Sequence, residues 1–145
     1  MATVKGVNRT IADATTVTHT LQPGLFGGVV RCMVDTYEAA AIVAGTVIEM
    51  GGELPKGAQV LMVCLMTDAM GSSVTMSVGD AESAARYMSA EDVSSAAAHW
   101  SDLADGVEYE IDMTTAATPD NQILITTAGA TATGTVKLIT FYTTD

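Results

Sequence analysis

Apolar and polar residues alternate along several short segments of this chain, and turn-forming residues separate the segments. Alternation with a period of two is typical of a strand that buries one face and exposes the other. Together with the Gly, Pro, Asn and Asp between segments, it predicts about eight strands and an all-β fold. The predicted strands are Thr15–Leu21, Val29–Asp35, Thr46–Met50, Val60–Met66, Val74–Asp80, Val107–Met113, Gln122–Thr127 and Thr135–Thr143, with Arg86–Met88 as a further short candidate.

One segment departs from the alternation. Residues 60–66 are apolar without a break and follow a Pro-Lys-Gly turn. Seven residues are too few to span a membrane, and the unbroken apolarity predicts a strand covered on both faces. Because an alternating strand returns at 74–80, we interpret residues 54–80 as one hairpin of a β-sandwich. The second cover is either the domain's other sheet or a neighbouring copy of the chain.

Two further segments lack a strand pattern. Residues 36–44 are rich in alanine, and we interpret them as a short helix. Residues 89–100 contain only Val93 and Trp100 as large apolar residues, too few for an amphipathic helix. We therefore expect a loop there, with at most one helical turn.

The first twelve residues are polar and include Lys5 and Arg9. They lack the apolar stretch of a signal peptide, so we expect synthesis in the cytoplasm. We predict an extended N-terminal arm over residues 1–12, followed by a single antiparallel, jelly-roll-like β-sandwich over residues 13–145.

The composition supports the all-β prediction and limits the partners. Of 145 residues, 48% are hydrophobic and only 16% are charged, with a net charge of −11. Threonine occurs 21 times, which favours strands because its side chain is β-branched. A surface with so few charges is suited to association with other subunits. The acidic balance argues against nucleic acid as a partner, and no run is long enough for a membrane span.

No residue pattern indicates catalysis, a cofactor or a metal. His19 and His99 have no Cys or His nearby at ligand spacing, which argues against zinc. Glu108, Glu110 and Asp112 share one strand face but would lie about 6.5–7 Å apart, which is typical of a solvated stripe rather than a calcium site. The chain also lacks a nucleophile elbow and a phosphate-binding loop.

The sulfur-containing residues suggest packing rather than chemistry. Cys32 and Cys64 each lie in an apolar segment, and we expect buried free thiols rather than a disulfide. Four of the nine methionines cluster around residues 54–80. Ordinary core packing and a subunit interface both remain open for them, because Met also adapts to irregular binding surfaces. As candidate self-association residues we take Met62, Met66, Met70 and Met76.

The order of several short motifs carries a resemblance to a known family. Behind the polar arm come RCMVDTYEA at 31–39, GGELPKGAQV at 51–60, DAMG at 68–71 and VGD at 78–80, with Arg86-Tyr87 close by. Over residues 1–90 this order resembles small head proteins of tailed bacteriophages, the decoration or cement proteins. The motifs are turns and strand ends rather than chemical groups.

The resemblance implies a jelly-roll-like β-sandwich on the capsid surface of the virion. Such a protein binds the outside of the head, stabilises contacts between major capsid protein subunits, and assembles as a homodimer or homotrimer without catalytic residues or cofactors. We hypothesise that Lys5 and Arg9 dock on the capsid while residues 54–80 support self-association.

A carbohydrate- or receptor-binding β-sandwich of a phage tail or fibre is the main alternative function. It requires exposed aromatic side chains around a pocket. The candidates of suitable size are Trp100, Tyr87, Tyr109 and Tyr142.

Overall fold

Eight β-strands form the part of the chain that the computed structural model describes, residues 27–102, 109–113 and 120–144. Each strand begins after a turn or a bend. The strands are β1 (Val29–Ile42), β2 (Val47–Met50), β3 (Gln59–Thr67), β4 (Thr75–Gly79), β5 (Met88–Asp92), β6 (Ala97–Trp100), β7 (Ile123–Ala128) and β8 (Ala132–Thr144).

The strands pair from the outside of the sequence inwards. β1 pairs with β8, β2 with β7, β3 with β6 and β4 with β5, all antiparallel. Two further pairs, β3 with β8 and β4 with β7, join these into sheet I (order β1-β8-β3-β6) and sheet II (order β2-β7-β4-β5). Nested pairing split over two sheets is the order of a jelly roll. The prediction of an antiparallel, jelly-roll-like β-sandwich is therefore confirmed.

The hydrophobic core lies between the two sheets. Val63, Leu65 and Leu138 point inward from sheet I, and Met76 and Ile125 from sheet II, each at most 2% exposed. Burying one such side chain contributes roughly 1.5–3 kcal/mol relative to leaving it exposed. One face of each sheet is therefore committed to the core, and the opposite faces determine what the surface offers.

Residues 54–80 do not form a hairpin, so that interpretation was wrong. Both predicted strands exist, as β3 and β4, but they belong to different sheets. Residues 68–74 cross between the sheets and are held by backbone bonds from Asp68 N to Thr135 O (3.0 Å) and from Met70 N to Val93 O (2.9 Å). The cause is pairing with distant strands, since β8 and β6 flank β3 while β7 and β5 flank β4.

The alanine-rich segment 36–44 is not a helix. β1 continues through it to Ile42, pairing Glu38 with Thr135 and, after a bulge, Ile42 with Ala132. Alanine's weak preference for helix is overridden by the ladder that β8 offers along the whole length of β1.

Residues 89–100 are also not a loop. β5 and β6 occupy most of the segment, and Val93 between them is fully buried. β6 forms the edge of sheet I, where Trp100 pairs with Cys64 and Ala98 pairs with Met66. Pairing with β3 supplies the stabilisation that the local sequence lacks.

Some predicted elements fall outside the described residues. The arm at 1–12, with Lys5 and Arg9, and the strand Thr15–Leu21 are among them. The predicted strand Val107–Met113 is described only from Tyr109, and there it forms a single bridge between Glu110 and Gln59 rather than a named strand. The described part of the chain contains no helix able to cross a membrane.

Candidate interaction surface

The face of sheet I that points away from the core is apolar across two neighbouring rows, and the row beyond them contains Lys137. In the strand register, one row across this face is Cys32, Phe141 and Met62. The next row is Val34, Ile139, Cys64 and Trp100. Neither row contains a charged side chain. We call these seven residues the apolar outer face: Cys32, Val34, Met62, Cys64, Trp100, Ile139 and Phe141.

Much of this face is accessible to solvent. Val34 is 56%, Trp100 55% and Met62 40% exposed, and Met66 in the adjoining row is 41% exposed. Scattered exposed apolar residues are ordinary, but a contiguous patch of this kind usually marks an interaction site. The predicted double cover of residues 60–66 is therefore only partly present within one chain.

Sheet II presents a different surface. Its outward positions carry the polar residues Glu49, Thr75, Ser77, Thr126 and Asp92. Val47 and the half-buried Leu124 are the large apolar residues among them. Hydroxyl and carboxylate groups on this face are well solvated. The outer surface of sheet II is therefore the more polar of the two. On the two apolar rows of sheet I, binding of another molecule would bury the most apolar area.

The four candidate methionines divide between surface and core. Met62 and Met66 lie on the outer side of sheet I, whereas Met70 and Met76 are 1% and 0% exposed between the sheets. In this structure Met70 and Met76 have no surface to offer a second subunit. A self-association surface built from these residues is therefore limited to Met62 and Met66.

The cysteines are both free, as predicted, but only one is buried. Cys64 is 1% exposed because larger neighbours on the outer face cover its small side chain. Burial raises the pKa of its thiol. The prediction that Cys32 is buried was wrong, since β1 forms an edge of sheet I and Cys32 points outward and is exposed.

A buried carboxylate secures one end of the sandwich. Asp120, which is 1% exposed, accepts hydrogen bonds from the Tyr109 hydroxyl (2.9 Å) and from the amides of Asp112 (3.0 Å) and Met113 (3.0 Å). Burial opposes its ionisation, but these bonds outweigh that effect and lower the pKa of Asp120. The carboxylate therefore fixes residues 109–113 against the start of β7.

An ion pair continues this polar arrangement. Arg86 binds Asp80 through its guanidinium, and its Cζ lies 3.7 Å from the centre of the Tyr109 ring. Asp80 also accepts bonds from the amides of Glu82 (2.9 Å) and Ser83 (2.8 Å). Burial raises the pKa of Tyr109 well above its usual value, and its bond to Asp120 adds to the effect. These groups are occupied by one another, which suits a structural role rather than catalysis.

The remaining candidate residues do not converge on a site. Glu110 is exposed, and Glu108 and His19 lie outside the described residues. His99 is on β6, not in a loop, and its Nδ1 lies 3.0 Å from Glu91 Oε2. Within the ranges the structure describes, no three His, Cys, Asp or Glu side chains are placed to hold a metal ion.

The four aromatic candidates do not form a sugar-binding platform. Trp100 is on the apolar outer face, whereas Tyr87 is fully buried and Tyr109 lies beneath Arg86. Tyr142 is half-buried and packs against the core. The structure therefore offers no observation in favour of the carbohydrate-binding alternative.

Two important features were missed at the sequence level. The outward row of β1, with Cys32 and Val34, alternates with polar residues, but alternation alone does not say which face is covered. Trp100 lies in a segment whose few large apolar residues predict a loop, and the four-residue β6 there is held by pairing with β3. Asp120 lies in the sequence Pro119-Asp120-Asn121, which is typical of a turn, and no local pattern distinguishes a buried acceptor from an exposed one.

The fold defines the class of protein as a two-sheet jelly-roll sandwich, and solved structures share it. One is a chain of the Cyanophage Pam1 capsid asymmetric unit, at a TM-score of 0.70 and 23% identity, covering 92% of this chain and 96% of that one. No protein-family model matches the sequence, and no curated protein matches it significantly.

Two more phage capsid structures contain a similar chain. In the capsid of Ralstonia phage GP4 the TM-score is 0.60 at 18% identity, covering 81% of this chain and 86% of the other. In the acidic stable capsid of Helicobacter pylori bacteriophage KHP30 the TM-score is 0.52 at 16% identity, with coverage of 80% and 88%. At these identities the similarity establishes the fold.

Proposed function

We propose that this protein is a non-enzymatic structural protein of a phage head. It binds the outer surface of the head as a decoration or cement protein and stabilises contacts between major capsid protein subunits. The observation that carries the proposal is the contrast between the apolar outer face of sheet I and the polar outer surface of sheet II. The presence of the same fold in three phage capsids supports it.

The two-sided surface suits a protein that lies between other subunits and water. Buried apolar area contributes about 25 cal/mol per Å², so covering Val34, Met62 and Trp100 stabilises an assembly without any charged contact. Meanwhile the polar side of sheet II, with Glu49 and Asp92, remains hydrated. A net charge of −11 keeps the protein away from the packaged nucleic acid.

Two contacts are proposed on the head. The apolar outer face, with Met62 and with Met66 beside it, contacts a neighbouring copy on the capsid. The N-terminal arm, through Lys5 and Arg9, docks on the major capsid protein, since these two residues are a third of the chain's six basic residues.

A charge placed on the apolar outer face tests the first contact. Met62→Glu should lower the occupancy of capsids at limiting protein by at least about tenfold, because a carboxylate would have to be desolvated in the contact. Co-sedimentation with capsids that lack the protein measures it. Val47→Glu is the matched control, since Val47 is 53% exposed on sheet II. Equal loss of binding in both variants would contradict the assignment of the face.

Removal of the arm tests the second contact. Deletion of residues 2–12 should abolish co-sedimentation with capsids while leaving the thermal unfolding of the domain unchanged, because the arm's proposed role is docking. Replacing only Lys5 and Arg9 with serine should reproduce most of the loss. Full capsid binding by the truncated protein would refute the docking role of the arm.

A further inference from the structure

Among the described residues, β1 is an edge strand of sheet I, and its register with β8 is regular from Val29 to Ala39, before the bulge near Ile42. In sheet I it is flanked by β8 on one side, and its other side has no strand partner among the residues described. Val29, Val30 and Val34 are 57%, 60% and 56% exposed. An exposed edge strand presents unpaired backbone groups that recruit another strand.

We propose that this edge pairs with β1 of a second copy, antiparallel and about a two-fold axis at Met33, to form a dimer with a continuous eight-stranded sheet. The inference goes beyond the proposed role on the head, because it concerns the free protein and a contact through the backbone edge of β1 rather than through the outer side of sheet I.

The two-fold symmetry limits the possible registers. Opposite residues of an antiparallel pair point to the same side of the sheet, so a symmetric pair must be centred on a residue rather than between two residues. Centring on Met33 places Arg31 opposite the partner's Asp35, and it does so twice. Centring on Asp35 would instead place two carboxylates together. Among symmetric registers, only the one at Met33 sets Arg31 against an acidic residue of β1.

The charges on β1 favour a second copy of the chain as the partner of this edge. Two copies that each carry a net charge of −11 repel one another, so a self-contact needs local opposite charges. Arg31 is exposed, and one of its N–H groups, on Nε, donates to Thr144 Oγ1 (3.1 Å). Asp35 already accepts from Gly51 N (2.7 Å) and Thr36 N (2.8 Å), and a carboxylate has capacity for a further donor.

The same register also places the outer sides of the two copies of sheet I next to each other. Cys32 lies opposite the partner's Val34, and Val30 lies opposite the partner's Thr36, all on the outer side. The apolar outer faces of the two copies then form one surface. The dimer therefore enlarges the area that the proposed contact on the head would cover.

Charge exchange in the full-length protein tests the proposal. Arg31→Glu and Asp35→Arg should each weaken the dimer at least about tenfold in sedimentation velocity, because both opposite-charge pairs become like-charge pairs. An equimolar mixture of the two variants should recover dimer, since each heterodimer again pairs Glu with Arg and Asp with Arg. Lys56→Glu, an exposed change of the same charge away from β1, should not alter dimerisation. A monomeric wild type, or no recovery in the mixture, overturns the proposal.

Cross-linking provides a second readout that does not depend on how well Asp35→Arg folds. Val34→Cys should form intermolecular disulfides with the partner's Cys32 under mild oxidation, because opposite Cα atoms lie about 4.5–5.5 Å apart. Adding Cys32→Ser should remove the cross-link. The wild type should not cross-link through Cys32, since its two copies would be diagonal neighbours about 7–8 Å apart. Cross-linking of the wild type or of the double variant overturns the register.

Discussion

Replacing Asp120 with alanine should destabilise the protein by about 3 kcal/mol or more, because three hydrogen bonds to a buried carboxylate are lost and each bond to a charged group contributes roughly 1.5–3 kcal/mol. The donors are the Tyr109 hydroxyl and the amides of Asp112 and Met113. Typical domains unfold at about 5–15 kcal/mol, so the loss is a large fraction of the total. Urea unfolding at pH 7 measures it.

The matched control for this substitution lies in the same segment. Glu110 is exposed, and its contribution to the segment is the backbone bridge to Gln59. Glu110→Ala removes a carboxylate two residues from Asp112 and should change the free energy of unfolding by less than about 0.5 kcal/mol. Equal destabilisation by the two variants would show that Asp120 is not the anchor of residues 109–113.

The stabilisation by Asp120 should also depend on pH. The pKa of Asp120 is lowered in the folded state. Its contribution to the free energy of unfolding is therefore fully present above the pKa of the unfolded state, about 4, and is lost as the pH falls through the pKa of the folded state. The difference in unfolding free energy between wild type and Asp120→Asn should therefore shrink below about pH 4. A difference that stays constant from pH 7 to pH 3 would contradict an ionised Asp120 in the folded protein.

The positions of the strands could be predicted from the sequence far better than their pairing partners could. The periods at 29–35, 46–50, 122–127 and 135–143 each correspond to an observed strand, because alternation reflects a local requirement to bury one face. Which sheet a strand joins depends on contacts far away in sequence. β3 and β4 are neighbours along the chain, yet β8 and β7 determine their sheets.

The candidate surface could be predicted only in part from the sequence, because it too depends on contacts between strands that are distant in sequence. The unbroken apolar run at 60–66 correctly indicated that β3 has an apolar outer side. It did not show that Val34 and Trp100 extend this side across the sheet, because cross-strand rows exist only once the register is set. Met70 and Met76 resemble Met62 in sequence context but lie inside the sandwich.

The second large effect on the free energy of unfolding is expected at residues 68–74, which cross from β3 to β4. Gly129, in the turn between β7 and β8, lies against the crossing at Ser73. Its φ is +85°, and a Cβ there would stand 1.9 Å from the Ser73 carbonyl oxygen. Gly129→Ala should therefore destabilise the protein by about 4 kcal/mol or more, since both the strained backbone and the clash with another backbone must be relieved.

Gly52→Ala is the control that separates this contact from the general cost of replacing a glycine. No atom lies within 4 Å of its Cβ position and its φ is not in the left-handed region, so the free energy of unfolding should change by less than about 1 kcal/mol. Urea unfolding of both variants makes the comparison. If Gly129→Ala is as mild as Gly52→Ala, the turn at 129 does not hold the crossing at Ser73. A large difference shows that the close contact between the β7–β8 turn and Ser73 contributes to the stability of the fold.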